Sequence, residues 1–357
     1  MKKFFEQKLK VETIKNGYIL PLKKEKGGVI DSNKDFVNLS YHNGEFFKFG
    51  GTYNIPKHVE FVDDTIIYLG VFIKQWGHFI LDSLSRAWFI NNFSSYQREK
   101  IKVAFIKKDK PISGNYLEAL KLLGIEENNI VEVDKPVKYR KIIIPQMAMN
   151  AKHEYNNEYP KIFKTMISNA KIKDIVVPEK VYLSRTHLRK ARKNEFGEIN
   201  IENNFRLNEY SIIYPEEKSL AEQIAIFQKS KEIVCLNGSI PFNVVFSNTS
   251  LKLIIINKTS IPHLNIKVLS KMEKITPVYL NGYIEPFKNF PKTLGDGPFI
   301  LTFSPDLVKY FNVRNYKYTS DDGLTKVIYI KYTIACFKFL IKDCLRKMRT
   351  KLYTIGS

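Results

Sequence analysis

Residues 251–256, Leu-Lys-Leu-Ile-Ile-Ile, form an almost purely apolar run. Six residues are too few for a core helix, and the run lacks the alternation of a strand with one wet face. A parallel strand covered on both sides accommodates it. Its neighbours repeat the theme. Glu232 to Leu236, Val181 to Leu183 and Tyr210 to Tyr214 read as further strands. Between them Ser219 to Ser230 reads as an amphipathic helix, with Ser219 and Glu222 at capping-box spacing. Ile240 to Phe246 reads as a short helix. Strands alternating with helices predict a layered α/β, Rossmann-like carboxy-terminal half.

The amino-terminal half is less regular. Up to about residue 75 the pattern is one of short extended segments broken at Gly27-Gly28, Gly44 and Gly50-Gly51. From Gly77 to Phe89 a helix is expected, then a strand from Lys102 to Ile106, a helix from Tyr116 to Leu123, and a strand from Tyr139 to Ile144 stopped by Pro145. The chain has 357 residues, enough for about two domains at roughly 150 residues each. Lys171 to Pro178 is the best linker. The expected division is an amino-terminal α/β domain over 1–172, a carboxy-terminal Rossmann-like domain over 173–290, and an extension over 291–357.

With 57 Lys and Arg against 36 Asp and Glu, the net charge is +21. Nucleic acid, an anionic membrane surface and phosphate-bearing substrates all fit that balance, as does a solvated basic surface. Nucleic acid has charge alone in its favour and is not the expected partner. The three cysteines, Cys235, Cys336 and Cys344, form no CxxC pair, which suits a reducing cytoplasm. Met1 to Lys8 is basic without a following apolar region, so a cleaved signal peptide is not expected. No apolar run approaches the roughly 20 residues of a spanning helix.

There is no P-loop, GxSxG elbow, GxGxxG fingerprint or HExxH helix. Nor do aspartates occur at i, i+2, so the DxD device that holds a divalent metal on a sugar diphosphate is missing. Any diphosphate must then meet protein cations and backbone amides, and no metal or cofactor is expected. Ser184-Arg185 directly follows a strand, with Arg189, Lys190, Arg192 and Lys193 in the next turn. Ligands of open α/β sheets lie at the carboxyl ends of the strands, so this loop stands where a diphosphate is received. The alternative is a solvated charge run. The next strand end reads Asn237-Gly238-Ser239-Ile240-Pro241, where free amides ahead of a helix suit an anion; an ordinary cap would read alike. His78 and Asp82 stand four apart, on one face of the expected helix. A carboxylate in that partly apolar setting suits proton abstraction from a sugar hydroxyl, with the imidazole assisting. A polar pair satisfied in the core is the other reading.

Taken in order, Gly77-His78-Phe79-Ile80-Leu81-Asp82-Ser83-Leu84-Ser85-Arg86, then Leu183-Ser184-Arg185 leading to Asn194-Glu195, then Glu222-Gln223 followed by Asn237-Gly238-Ser239 and Asn243 to Phe246, resemble glycosyltransferase family 61, including its capsular polysaccharide members. The resemblance implies two Rossmann-like domains facing a cleft, the GT-B arrangement, and an inverting, metal-independent transfer from a nucleotide sugar to a glycan or lipid-linked acceptor. It makes Asp82 the base and His78 its support. Ser184 and Arg185, with Arg189 or Arg192 as a second cation, hold the donor diphosphate. Asn194 and Glu222 fix the nucleotide, and Gly238, Ser239 and Asn243 line the second phosphate wall. Asn237 stands where many members carry histidine. A catalytically inactive scaffold that keeps the fold is the competing function.

At the carboxyl end Val327, Ile330, Ile334, Phe337, Ile341, Leu345 and Met348 recur at helical spacing, and Lys331, Lys338, Lys342, Arg346, Lys347, Arg349 and Lys351 supply a polar side. This basic amphipathic helix either meets an anionic membrane through residues 326–351 or docks back on the protein. The expected location is the cytoplasm, at the inner face of the membrane if the helix binds lipid.

Overall fold

The computed structural model describes residues 7–355 apart from 289, 296, 320 and 322. Met1 to Glu6 and the side chains of Arg192, Arg349 and Lys351 lie outside the described residues. The protein is mixed α/β and divides into two compact units, Met1–Asp174 and Ile175–Ser357.

In the first unit the strands are β1 (Val11–Lys23), β2 (Lys26–Ile30), the small hairpin β3 (His42–Asn43) and β4 (Lys48–Phe49), β5 (Glu60–Phe72), β6 (Lys102–Lys107), β7 (Ile130–Val133) and β8 (Val137–Pro145). Six of them form one sheet in the order β2-β1-β8-β5-β6-β7. β5 runs parallel to both β6 and β8, whereas β1 runs antiparallel to both β2 and β8. The sheet is therefore mixed, which departs from the parallel pattern of a Rossmann-like domain. Before residue 75 the structure has two 13-residue strands alongside the short segments expected, β2, β3 and β4. Much of β1 is exposed, so its polar residues concealed it, while Ile66 to Phe72 of β5 is wholly buried between two neighbours. Gly70, at φ +96°, sits where β5 shifts register against β6, a bulge that only glycine adopts readily.

The second unit carries β9 (Lys180–Leu183), β10 (Glu195–Phe196), β11 (Ser211–Ile213), β12 (Glu232–Leu236), β13 (Lys252–Asn257), β14 (Val278–Asn281), β15 (Tyr283–Ile284) and β16 (Phe299–Leu301). Five form an all-parallel sheet in the order β11-β9-β12-β13-β14. Every residue from Ile233 to Leu236 and from Leu253 to Ile256 is buried. Each large apolar side chain among them contributes about 1.5–3 kcal/mol of burial. The order reverses between β9 and β12, which makes their carboxyl ends the switch point where doubly wound sheets receive ligands. Helix Leu220–Lys229 begins with the full capping box of Ser219 and Glu222. β16 pairs with β10 and β15, so part of the expected extension belongs to this unit. Helix Lys326–Ile355 follows, with Tyr332 and Cys336 buried against Phe290 and Ile300.

Candidate functional site

The switch point gathers charge. Arg185 follows β9, and its Nε and Nη2 donate to the two oxygens of Glu195 at 2.8 and 3.3 Å. Lys258, following β13, donates from Nζ to Glu195 Oε1 at 2.7 Å. The side chains of Lys258 and Glu195 are 5% and 4% exposed, and that of Arg185 is 13%. Burial alone would push the Glu195 carboxyl up, but the Lys258 ammonium and the Arg185 guanidinium outweigh it and hold it at about 2. Two cations on one anion leave a positive excess in a place nearly closed to water, where it is poorly screened.

That excess faces a glycine. A Cβ placed on Gly238, just past β12, would lie 3.7 Å from Lys258 Nζ and 3.8 Å from Arg185 Nη1. Three neighbouring strand ends thus bring two cations to the edge of a residue with no side chain. His263, half-buried before helix Leu264–Met272, is lowered to about 4 by burial and then by the charge of Lys258. It is a neutral ring at pH 7.

Acidic side chains support the loop from beneath. Glu198 Oε1 accepts from the Arg185 amide at 3.0 Å and from the Tyr182 hydroxyl at 3.2 Å. Burial, with the Glu195 charge adding to it, raises the Glu198 carboxyl to about 8 against the opposing Arg185 amide bond. Glu202 Oε2 accepts from Ser184 Oγ at 2.7 Å and Thr186 Oγ1 at 2.9 Å, and its other oxygen takes Arg206.

Of the donor residues expected from sequence, Arg185 and Gly238 come together, and Ser239 is the next residue in the chain. Arg189 is exposed in the same loop as Arg185. Asn194 is half-buried, and its carbonyl accepts the Phe299 amide at 2.7 Å. Ser184, Glu222 and Asn243 spend polar groups internally. Ser184 bonds Glu202; Glu222 takes the Ser219 amide and hydroxyl on one oxygen and Lys218 on the other. Asn243, 2% exposed, donates to Gln223 at 2.9 Å. The element after Ser239 is a seven-residue 3-10 turn with Pro241 in its first turn, so the helix terminus expected there offers few aligned amides. Lys258 was missed, although the strand-end rule that found Arg185 and Gly238 points equally to Asn257-Lys258.

The His78–Asp82 pair in the first unit is built differently. The helix expected over 77–89 is broken into a turn at Trp76–His78, a π segment at Phe79–Ser83 and a 3-10 stretch at Ala87–Asn92. The Leu84 amide reaches back five residues to the Phe79 carbonyl, and the Tyr159 hydroxyl donates to the Ile80 carbonyl at 2.7 Å. The wide turn buries Asp82 to 1% exposure. Its oxygens accept the amides of Glu45 at 2.9 Å and Phe46 at 3.2 Å. His42 Nε2 stands 3.7 Å from Asp82 Oδ2, a charge-pair distance too long for a hydrogen bond. The Phe46 ring then stacks on His78 with centroids 3.6 Å apart. Half-buried His78 is lowered to about 4, chiefly by burial against the opposing charge of Asp82. Both Asp82 oxygens are thus engaged by backbone amides, and the more accessible group of the pair is His78. Arg86, also fully buried, donates to the carbonyls of Pro145 and Tyr41 at 2.6 and 2.9 Å. No local spacing links His42, Glu45 or Phe46 to Asp82, so sequence reasoning missed them.

Among the described residues no three His, Cys, Asp or Glu side chains are grouped to hold a metal ion, and no helix is long and apolar enough to cross a membrane. Against known proteins, the family model described as Glycosyltransferase 61 matches residues 76–254. No curated protein matches the chain.

Proposed function

Because the chain belongs to the glycosyltransferase 61 family, we propose that it moves a sugar from a nucleotide-sugar donor to a glycan or lipid-linked acceptor, in the assembly of a surface polysaccharide such as a capsule. The observation that carries this reading is the convergence of Arg185 and Lys258 on Gly238 at the switch point of a parallel sheet. A donor diphosphate supplies the negative charge that the buried excess lacks, and the bare glycine backbone lets it approach. The reaction proposed is a single displacement with inversion: the acceptor oxygen attacks the anomeric carbon as the bond to the diphosphate breaks. Charge grows on that leaving group in the transition state, so fixed cations beside it lower the barrier. In this reading they take the part that a bound divalent metal takes in other sugar transferases. The acceptor's proton passes to His78, which is neutral at pH 7, while Asp82 holds the turn that carries Phe46 onto His78. The three free cysteines, two of them buried, accord with work in the cytoplasm, where sugar nucleotides are made.

Titration calorimetry with a panel of nucleoside diphosphates and nucleotide sugars tests the donor half. At least one nucleotide sugar should bind, and Arg185→Ala and Lys258→Ala should each weaken it about ten- to a hundredfold, the worth of a charge-assisted hydrogen bond. His78→Gln should keep donor affinity and lower turnover by about 10² to 10⁴. A wild-type protein that binds no nucleotide sugar sinks the proposal. The enclosure of Asp82 also suits an inactive scaffold, and donor binding without turnover on any acceptor would favour that reading.

A further inference from the structure

Helix Lys326–Ile355 has two apolar faces. Its inner face is accounted for: Tyr332 and Cys336 are buried, with Phe339 packed beside them. The other carries Ile330, Ile334, Phe337, Ile341, Leu345 and Met348, each between 47% and 62% exposed. At about 100° per residue these six fall within an arc of roughly 80°, half a turn away from Tyr332 and Cys336. Single exposed apolar residues are ordinary, but an aligned row of six large ones over five turns is not. A helix that is apolar on opposite sides lies between the protein and a second apolar phase.

The charges name that phase. Lys331, Lys338 and Lys342 are exposed and project along one edge of the row. The acid nearest to them on the helix, Asp343, is already held by Arg346 and Lys347 at 2.8 Å each. Antiparallel pairing of two copies would set one lysine row against the other with no carboxylate between them. An anionic lipid surface instead takes the row of apolar side chains at the acyl boundary and the lysines at the headgroups. We infer that helix Lys326–Ile355 lies in the plane of an anionic membrane surface, with the Ile330–Met348 row buried in the lipid and Tyr332 and Cys336 holding the helix to the protein. This goes beyond the proposed activity and does not depend on it.

The test is co-sedimentation of the full chain with vesicles of mixed phosphatidylglycerol and phosphatidylcholine, against phosphatidylcholine alone. Binding is expected to the anionic vesicles and to fall as salt rises. The double variant Phe337→Glu, Ile341→Glu should weaken binding at least about tenfold with an unchanged thermal midpoint, because both side chains are exposed in the folded chain. Lys331→Glu, Lys338→Glu and Lys342→Glu together should weaken it on anionic vesicles. Retention of the wild-type chain by neither vesicle would overturn the inference. So would undiminished retention of both variants, or a dimer in analytical ultracentrifugation that the Phe337→Glu, Ile341→Glu pair dissolves while vesicle binding persists.

Discussion

Gly44 and Gly238 both stand beside buried charge, and their surroundings are opposite. A Cβ on Gly44 would lie 2.6 Å from both the Asp82 carboxyl carbon and His42 Nε2. On Gly238 it would lie no nearer than 3.7 Å to its first neighbour, and the nearest groups are the ends of two cations. In the first place the absent side chain is filled by the protein's own carboxylate. In the second a side chain would meet only ordinary van der Waals contact, and two cations share one carboxylate. The proposed donor site thus differs from the Asp82 pocket in having room for a small group beside an uncancelled charge. Where the chain has already supplied the counter-groups, the same residue types hold a loop in place.

The largest effect separating the two is on folding. Gly44→Ala should destabilise the chain by about 3 kcal/mol in urea denaturation, since neither the carboxylate nor the imidazole can retreat from a packed interior. Little or no loss would mean that the Asp82 pocket has slack and that the contrast is false. Gly238→Ala should leave stability within about 1 kcal/mol yet lower donor affinity roughly tenfold, because its methyl group occupies the place left for a phosphate. The reverse pattern, lost stability with intact binding, would make Gly238 a packing glycine like Gly44.

The smallest effect is a slope. Glu198 is raised to about 8 in the folded chain, so the native state keeps a proton that the unfolded state gives up near 4.5. Its contribution is fully present below about 4.5 and is lost as pH rises through 8. Glu195, held at about 2, acts with the opposite sign and loses its contribution as pH falls from about 4.5 toward 2. Glu198→Gln keeps an acceptor for the Arg185 amide and should flatten the decline of stability between pH 5 and 8. An unchanged profile would show that Glu198 ionises freely beneath the loop.

Much of the carboxy-terminal unit was legible because its strands are buried on both faces and read as apolar runs. Glu232–Leu236 was found to the residue, and the Ser219 capping box was found with its helix. The strand ends that carry Arg185 and Gly238 were legible as well, because strand ends can be located once strands are. Lys258 needed only the same rule applied once more. The amino-terminal unit resisted for physical reasons. β1 is half wet and antiparallel, so neither apolar runs nor strict alternation disclosed it. The helix expected over 77–89 had the right residues and spacing, but tertiary packing around Phe79 to Ser83 widened the turn. The partners of Asp82 are backbone amides at Glu45 and Phe46, which carry no side-chain signature at all.

The π turn at Phe79–Ser83 amounts to an α-helix with one residue added. Removing one residue between His78 and Asp82 would let the backbone rewind into an ordinary turn that takes up the loss, so the two side chains would stand three apart and still share a face. What the extra residue sets is the place at which Asp82 meets the Glu45 and Phe46 amides. A deletion here would cost that enclosure more than it would cost the pairing.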